Sequence, residues 1–237
     1  VGDAMATTMW GTSSSWTLTA LPLFVWMGEI LFRTKLSENL FKGLAPWLSR
    51  LPGGLVHVNV VGCALFAAIS GSSAATVATV GKMSIPELRK RNYPEKLLLG
   101  SLAGSGTLGL LIPPSIILII YGVTVQESIA KLFIAGIIPG IMIAIFFMLY
   151  VIGWSIINKK SMPKVEETFT FSQKIRDSIQ LIPVIILITS VIGSIYVGIA
   201  TATEAASLGV VGALILSFFQ KSLNIESFKL SLLGATK

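Results

Sequence analysis

The sequence predicts an all-α polytopic membrane protein with one re-entrant helical hairpin and one broken transmembrane helix. Composition is the first reason. The 237 residues are 53% hydrophobic and only 12% charged, with mean hydropathy +0.82, whereas a soluble domain carries about 25% charged residues. The second is the run Pro52–Gly81, 30 residues without Asp, Glu, Lys or Arg. That is too long for one plain span of about 20 residues and too short for two. The third is the way basic residues sort to one side of the apolar runs.

Residues 1–15 are polar and small. Trp16–Phe32 is apolar and of spanning length, with Glu29 near its far end. Residues 33–51 read as a basic loop, and Pro52–Gly81 follows. Residues 82–96 are a second basic loop. Leu97–Val125 is apolar but interrupted by GSGTLGLLIPPS at 104–115. After a short loop at 126–131 comes a long span, Leu132–Ile157, and then a polar, lysine-rich loop at 158–178. Ile179–Ile199 and Ala205–Phe219 span again, joined by a turn at 201–204, and a polar segment closes the chain. Trp10, Trp16, Trp26, Trp47 and Trp154 lie mostly near span ends, as interfacial anchors do. The chain begins Val1-Gly2 and ends Ala235-Thr236-Lys237, and a fragment of a longer protein is expected.

Charge supplies an independent test of the hairpin. Placing residues 33–51, 82–96, 158–178 and 221 onward in the cytoplasm puts 17 of the 18 Lys and Arg there, leaving Lys131 outside. That partition obeys the positive-inside rule, and it works only if Pro52–Gly81 enters and leaves on one side. Two tight spans of about 15 residues would keep the same topology. The net charge of +7 is thus an orientation signal spread over short loops, and nucleic acid is not an expected partner. A single cysteine, Cys63, excludes a disulfide framework.

Two polar breaks carry the candidate site. Ser70-Gly71-Ser72-Ser73, with Thr76 and Thr79 following, is the least helix-favouring part of the hairpin. Gly104-Ser105-Gly106-Thr107, with Pro113-Pro114-Ser115, is the second, and its prolines cannot donate backbone hydrogen bonds. Carbonyls with Ser and Thr hydroxyls suit a small hard cation such as Na⁺. Helix N-termini suit an anion. Paired broken helices near the bilayer midplane are the usual ion and substrate site of secondary transporters. The plainer alternative is small residues that allow close helix packing.

At these residues the chain resembles a known family. HVNVVGCALFAAISGSSAATVATVG, GSGTLGLLIPPSIILIIYG, LFIAGIIPGIM and GIATATEAASLGVVGAL, preceded by ALPLFVWMGEIL, closely resemble the large membrane subunit of tripartite ATP-independent periplasmic (TRAP) transporters. The resemblance covers nearly the whole chain in the family's order. It implies an elevator-type, sodium-coupled importer of organic acids in the bacterial inner membrane. It also implies a periplasmic substrate-binding protein and a small four-helix membrane subunit as partners, with no cofactor beyond Na⁺ as coupling ion. By the same resemblance, Ser70, Gly71, Ser72, Ser73 and Thr76 join Gly106, Thr107, Pro113, Pro114 and Ser115 around one Na⁺. Ser72, Ser73, Thr107 and Ser115 would be its hydroxyl ligands. Residues 1–51 would be scaffold with a basic loop, 52–125 half of the transport domain, 126–178 a connection, and 179–237 the start of a second inverted repeat. The second hairpin would lie beyond Lys237. The family pattern Thr-Pro-Thr-Glu-Ala-Ala is here Thr201-Ala202-Thr203-Glu204-Ala205-Ala206, and the missing proline alters the expected turn.

Other polar residues are weighed singly. Glu204 opens a helix, where an acid favours the dipole, or else it contacts the binding protein. Glu29 either pairs with Arg33 or acts within its span. His57 is expected as a satisfied core histidine rather than a proton carrier, with Asn59 as a polar partner inside the hairpin. A hydrolase built on Ser72 or Ser73 with His57 lacks a third, orienting group. A channel, or an anion symporter needing no binding protein, remains the other alternative. No Arg falls within a span to hold a carboxylate.

Overall fold

Long apolar runs in a membrane must satisfy their backbone hydrogen bonds internally, and helices do so. The computed structural model describes residues 2–33, 36–163 and 170–236, and among these no strand occurs. Lys35, Lys164 and Lys237, three of the bases in the charge partition, lie outside the described residues. The helices are α1 (Gly2–Ser13), α2 (Ala20–Phe32), α3 (Leu36–Leu48), α4 (Val56–Ser70), α5 (Ser73–Lys90), α6 (Glu95–Gly106), α7 (Ile116–Val125), α8 (Ile129–Ile157), α9 (Phe171–Ile179), α10 (Ile182–Tyr196), α11 (Ala202–Phe219) and α12 (Ile225–Thr236). By length and apolarity, α8 and α11 suffice to cross a membrane, whereas α4 and α7 are shorter apolar helices. The protein is an all-α, multi-pass membrane protein.

The segment Pro52–Gly81 folds as the two arms of a hairpin, α4 and α5. Gly62 faces Val80, and the Ser70 hydroxyl meets that of Thr76 at 3.0 Å, so the arms run antiparallel. Their far ends also meet, because the Tyr93 hydroxyl accepts from Leu55 N at 3.1 Å. The chain therefore returns to the side from which it entered. Tyr93→Phe removes that acceptor from an N–H whose residue is only 5% exposed. An orphaned buried donor costs about 1–3 kcal/mol. The expected result is a lower unfolding midpoint in detergent, and a wild-type midpoint would mean this bond does not close the hairpin base.

α6 continues inward antiparallel to α5, with Gly81 against Leu102 and Gly106 against Val77. A 3-10 turn at Thr107–Leu110 and an irregular stretch at 111–115 follow before α7 resumes. The Pro113–Pro114 peptide is cis. α8 runs back along this break: Gly136 abuts Leu111 O, Gly140 abuts Ile112, and Gly104 abuts Phe147. At the far end of α8, Val151 and Ser155 reach Gly53 at the hairpin base. α2 fits between the tip and α11, with Gly28 against Ser70 and Met27 against Gly209, and the Phe24 and Phe133 rings meet edge-on at 6.5 Å.

Three segments expected as loops contain helix. α3 occupies most of residues 33–51, because Leu40 and Ala45 bury one face. α5 runs through the basic residues to Lys90, well past Gly81, with Ser84 and Leu88 buried one turn apart. α9 occupies the end of 158–178 and runs one residue past it, opened by a capping box in which Thr170 N donates to Gln173 Oε1 at 3.0 Å. All three mix apolar and polar residues around the helix, so their mean polarity conceals it.

Candidate functional site

The two breaks meet. α4 ends at Gly71, whose left-handed conformation (φ 61°) turns the chain as a helix-capping glycine does. Ser72 is extended and its hydroxyl accepts from Ala75 N at 3.4 Å, capping α5. Across the gap, Ile116 N at the start of α7 donates to Gly71 O at 3.2 Å. A Cβ on Gly71 would lie 2.6 Å from Pro114 O. On the other flank, a Cβ on Gly109 would lie 2.9 Å from Ser73 N. The hairpin tip is thus held by backbone from both sides of the second break.

Four helix ends converge here: the C-termini of α4 and α6, and the N-termini of α5 and α7. Carbonyl ends present partial negative charge and amide ends partial positive charge. Ionisable side chains are absent from both breaks. Among the described residues no cluster of His, Cys, Asp or Glu suits a metal, so any cation would rest on oxygens of the backbone and hydroxyls.

Those hydroxyls differ in what they already bind. Ser70 is 2% exposed; its hydroxyl accepts from Ser72 N at 3.3 Å and shares a bond with Thr76. Ser115 is buried and donates to Leu110 O at 2.8 Å, leaving its lone pairs. Ser73 Oγ is buried without a hydrogen-bond partner. Thr107 is exposed and donates to Gly104 O at 2.7 Å, which likewise leaves its lone pairs. Gly106, Pro113 and Pro114 are buried and shape the junction. Sequence reasoning missed Gly109 and Gly28, which touch the tip at Ser73 and Ser70. Gly109 lay inside the quoted break; Gly28 had no local signal.

The remaining polar residues stand apart. Glu29 pairs with Arg33 at 3.0 Å, one helical turn away. Glu204 accepts from Thr201 N and Oγ1, both at 2.8 Å, in a capping box. It forms part of the wall of a cleft of about 910 Å³, with Trp16, Gln126 and Ser207. His57 is fully buried and its Nε2 donates to Pro52 O at 2.8 Å. Asn59, expected as a polar partner of His57 inside the hairpin, makes no hydrogen bond to it. Its Nδ2 instead donates across to Ser101 Oγ at 3.0 Å and Leu98 O at 3.3 Å, because its face of α4 packs on α6.

Two helical breaks meeting inside a multi-pass apolar bundle are the arrangement in which secondary transporters build their ion and substrate sites. Comparison with known families adds the particular group: residues 1–237 match the family described as "Tripartite ATP-independent periplasmic transporter, DctM component", and the chain belongs to it. It is 32% identical over 216 residues to the C4-dicarboxylate TRAP transporter large permease protein DctM of Pseudomonas aeruginosa, covering 91% of this chain and 50% of that one. It is 37% identical over 204 residues to the ectoine TRAP transporter large permease protein TeaC of Halomonas elongata (85% and 46%). It is 35% identical over 233 residues to the isethionate TRAP transporter permease protein DctMQ of Oleidesulfovibrio alaskensis (95% and 35%). The chain thus spans half or less of these relatives' lengths. All three are named as permeases, and the family to which this chain belongs is one of transporter components rather than enzymes.

Proposed function

We propose that this chain is part of the large membrane subunit of a sodium-coupled importer of organic acids in the bacterial inner membrane. A periplasmic binding protein delivers the substrate, a small membrane subunit completes the complex, and residues 52–125 move as part of an elevator. The junction of the two breaks carries the reading. Ser73 Oγ lies there buried and unpartnered, beside a tip fastened to the second break by Ile116 N and Gly71 O. A buried hydroxyl without a partner is costly, and a small hard cation offers it one. Ser72, Ser115, Thr107 and nearby carbonyls would fill out the oxygen set, Ser115 and Thr107 through the lone pairs that their bonds to Leu110 O and Gly104 O leave. The amide ends of α5 and α7 face the same place and suit a carboxylate, which fits the absence of arginine from the apolar runs.

The test is uptake by the whole complex in liposomes, given the binding protein and radiolabelled candidate acids. Uptake is expected to require both an inward Na⁺ gradient and the binding protein. Undiminished uptake after collapse of the Na⁺ gradient, or without the binding protein, would overturn the reading.

A further inference from the structure

α9 is an amphipathic helix placed the wrong way round for a water-exposed loop. Phe171, Ile175 and Ile179 recur every four residues, so 100° per residue puts them within an arc of about 80°. All three point outward, at 68%, 46% and 55% exposure, whereas Lys174 is only 7% exposed. The lysine is turned inward, with its Nζ 5.3 Å from the centre of the Trp47 ring of α3. Trp47 Nε1 in turn donates to Ser178 Oγ at 2.7 Å. A third face, with Gln173, Arg176 and Gln180, is exposed and polar. The helix therefore has three faces: one on α3, one polar, and one apolar that the described residues leave exposed.

The apolar stripe does not end with α9. The axis bends by 50° into α10, and the exposed Ile182 and Ile186 carry the stripe onto that helix. Since α10 belongs to the membrane-embedded bundle, the stripe is continuous with lipid-facing surface. Charge points the same way. Arg176 on α9, with Lys159 and Lys160 just past α8, is exposed on the side to which 17 of the 18 bases sort, and Asp177 beside it offsets Arg176, so the local excess of base comes from the two lysines. An amphipathic helix with an outward apolar face lies in a bilayer interface, and exposed bases close to it favour anionic lipid.

We propose that α9 is an interfacial helix of the inner leaflet, its Phe171–Ile175–Ile179 stripe among the acyl chains and Arg176 at anionic headgroups. Through Lys174 and Ser178 it holds α3, the helix leading into the hairpin, against the membrane surface. This rests on membrane insertion alone and is independent of what is transported.

Spin labels at Ile175→Cys, Ile179→Cys and Gln173→Cys of the full-length protein in vesicles test it; the native Cys63 is buried and out of reach of the label. Collision with oxygen should exceed collision with a water-soluble nickel chelate at 175 and 179, and the order should reverse at 173. Adding phosphatidylglycerol to phosphatidylcholine vesicles should deepen the labels at 175 and 179, and Arg176→Gln should abolish that response. Ready access of nickel to 175 and 179 would overturn the interfacial seat. So would protection from both reagents, which would mean that protein covers the stripe. Depths indifferent to phosphatidylglycerol would overturn the headgroup contact.

Discussion

Gly71→Ala is expected to reduce uptake by the complete complex at least tenfold and to destabilise the protein by about 1–2 kcal/mol, the cost of a left-handed conformation for an ordinary residue. The steric effect adds to this. The new methyl would sit 2.6 Å from Pro114 O and 3.4 Å from Ile116 N, both backbone atoms of the second break. Backbone held on two sides has little room to yield, so the tip and the break must separate, and the 3.2 Å bond from Ile116 N to Gly71 O lengthens or is lost. One substitution thus acts on both halves of the junction. Gly100→Ala is the control: a methyl there meets nothing within 4 Å, and alanine is the better helix former by about 1 kcal/mol. That variant should be as stable as the parent or more so, with uptake unchanged. Uptake by Gly71→Ala within a factor of two of the parent would show that the junction need not be tight.

Much of this arrangement is legible in the chain, for reasons of solvation. Charges are excluded from the bilayer core, so a 30-residue uncharged run between two basic segments has few possible courses. The antiparallel arms and the closure of Leu55 on Tyr93 are the course that charge partition predicts. Gly and Ser at 70–73, and two prolines at 113–114, announce breaks because they are poor at continuing helices. What the sequence conceals is direction around an axis. Thr107 follows Gly106 in the same motif, yet one residue of helix is a rotation of about 100°, and Thr107 is exposed where Gly106 is buried. Asn59 finds its partners on α6 for the same reason. Gly28 is 42 positions before Ser70 in the chain, and only packing reveals that α2 touches the tip. α3 and α9 are hidden differently: a helix apolar on one face averages to a polar loop.

Ser73→Ala separates an ion site from a merely tight turn, because the two predict opposite signs in the absence of sodium. Without an ion, Ser73 Oγ is a buried hydroxyl with no partner, a burden of about 1–3 kcal/mol. Removing it should leave the sodium-free protein as stable as the parent, or slightly more stable. With sodium the order reverses. An ion bound only by the folded state stabilises it by RT ln(1 + [L]/Kd), about 2.7 kcal/mol at a hundredfold excess over Kd. Losing one oxygen from the set should raise the half-maximal sodium concentration for uptake about tenfold, equivalent to about 1.4 kcal/mol. The sodium-induced rise in unfolding midpoint should shrink accordingly, while potassium moves neither protein. Ser72→Ala behaves differently, because its hydroxyl caps α5. Without sodium it should lower stability by about 1 kcal/mol, and with sodium by more, because an oxygen of the set is lost along with the cap. If Ser73→Ala destabilises the sodium-free protein and keeps the full sodium response, the hydroxyl holds the turn and the ion lies elsewhere.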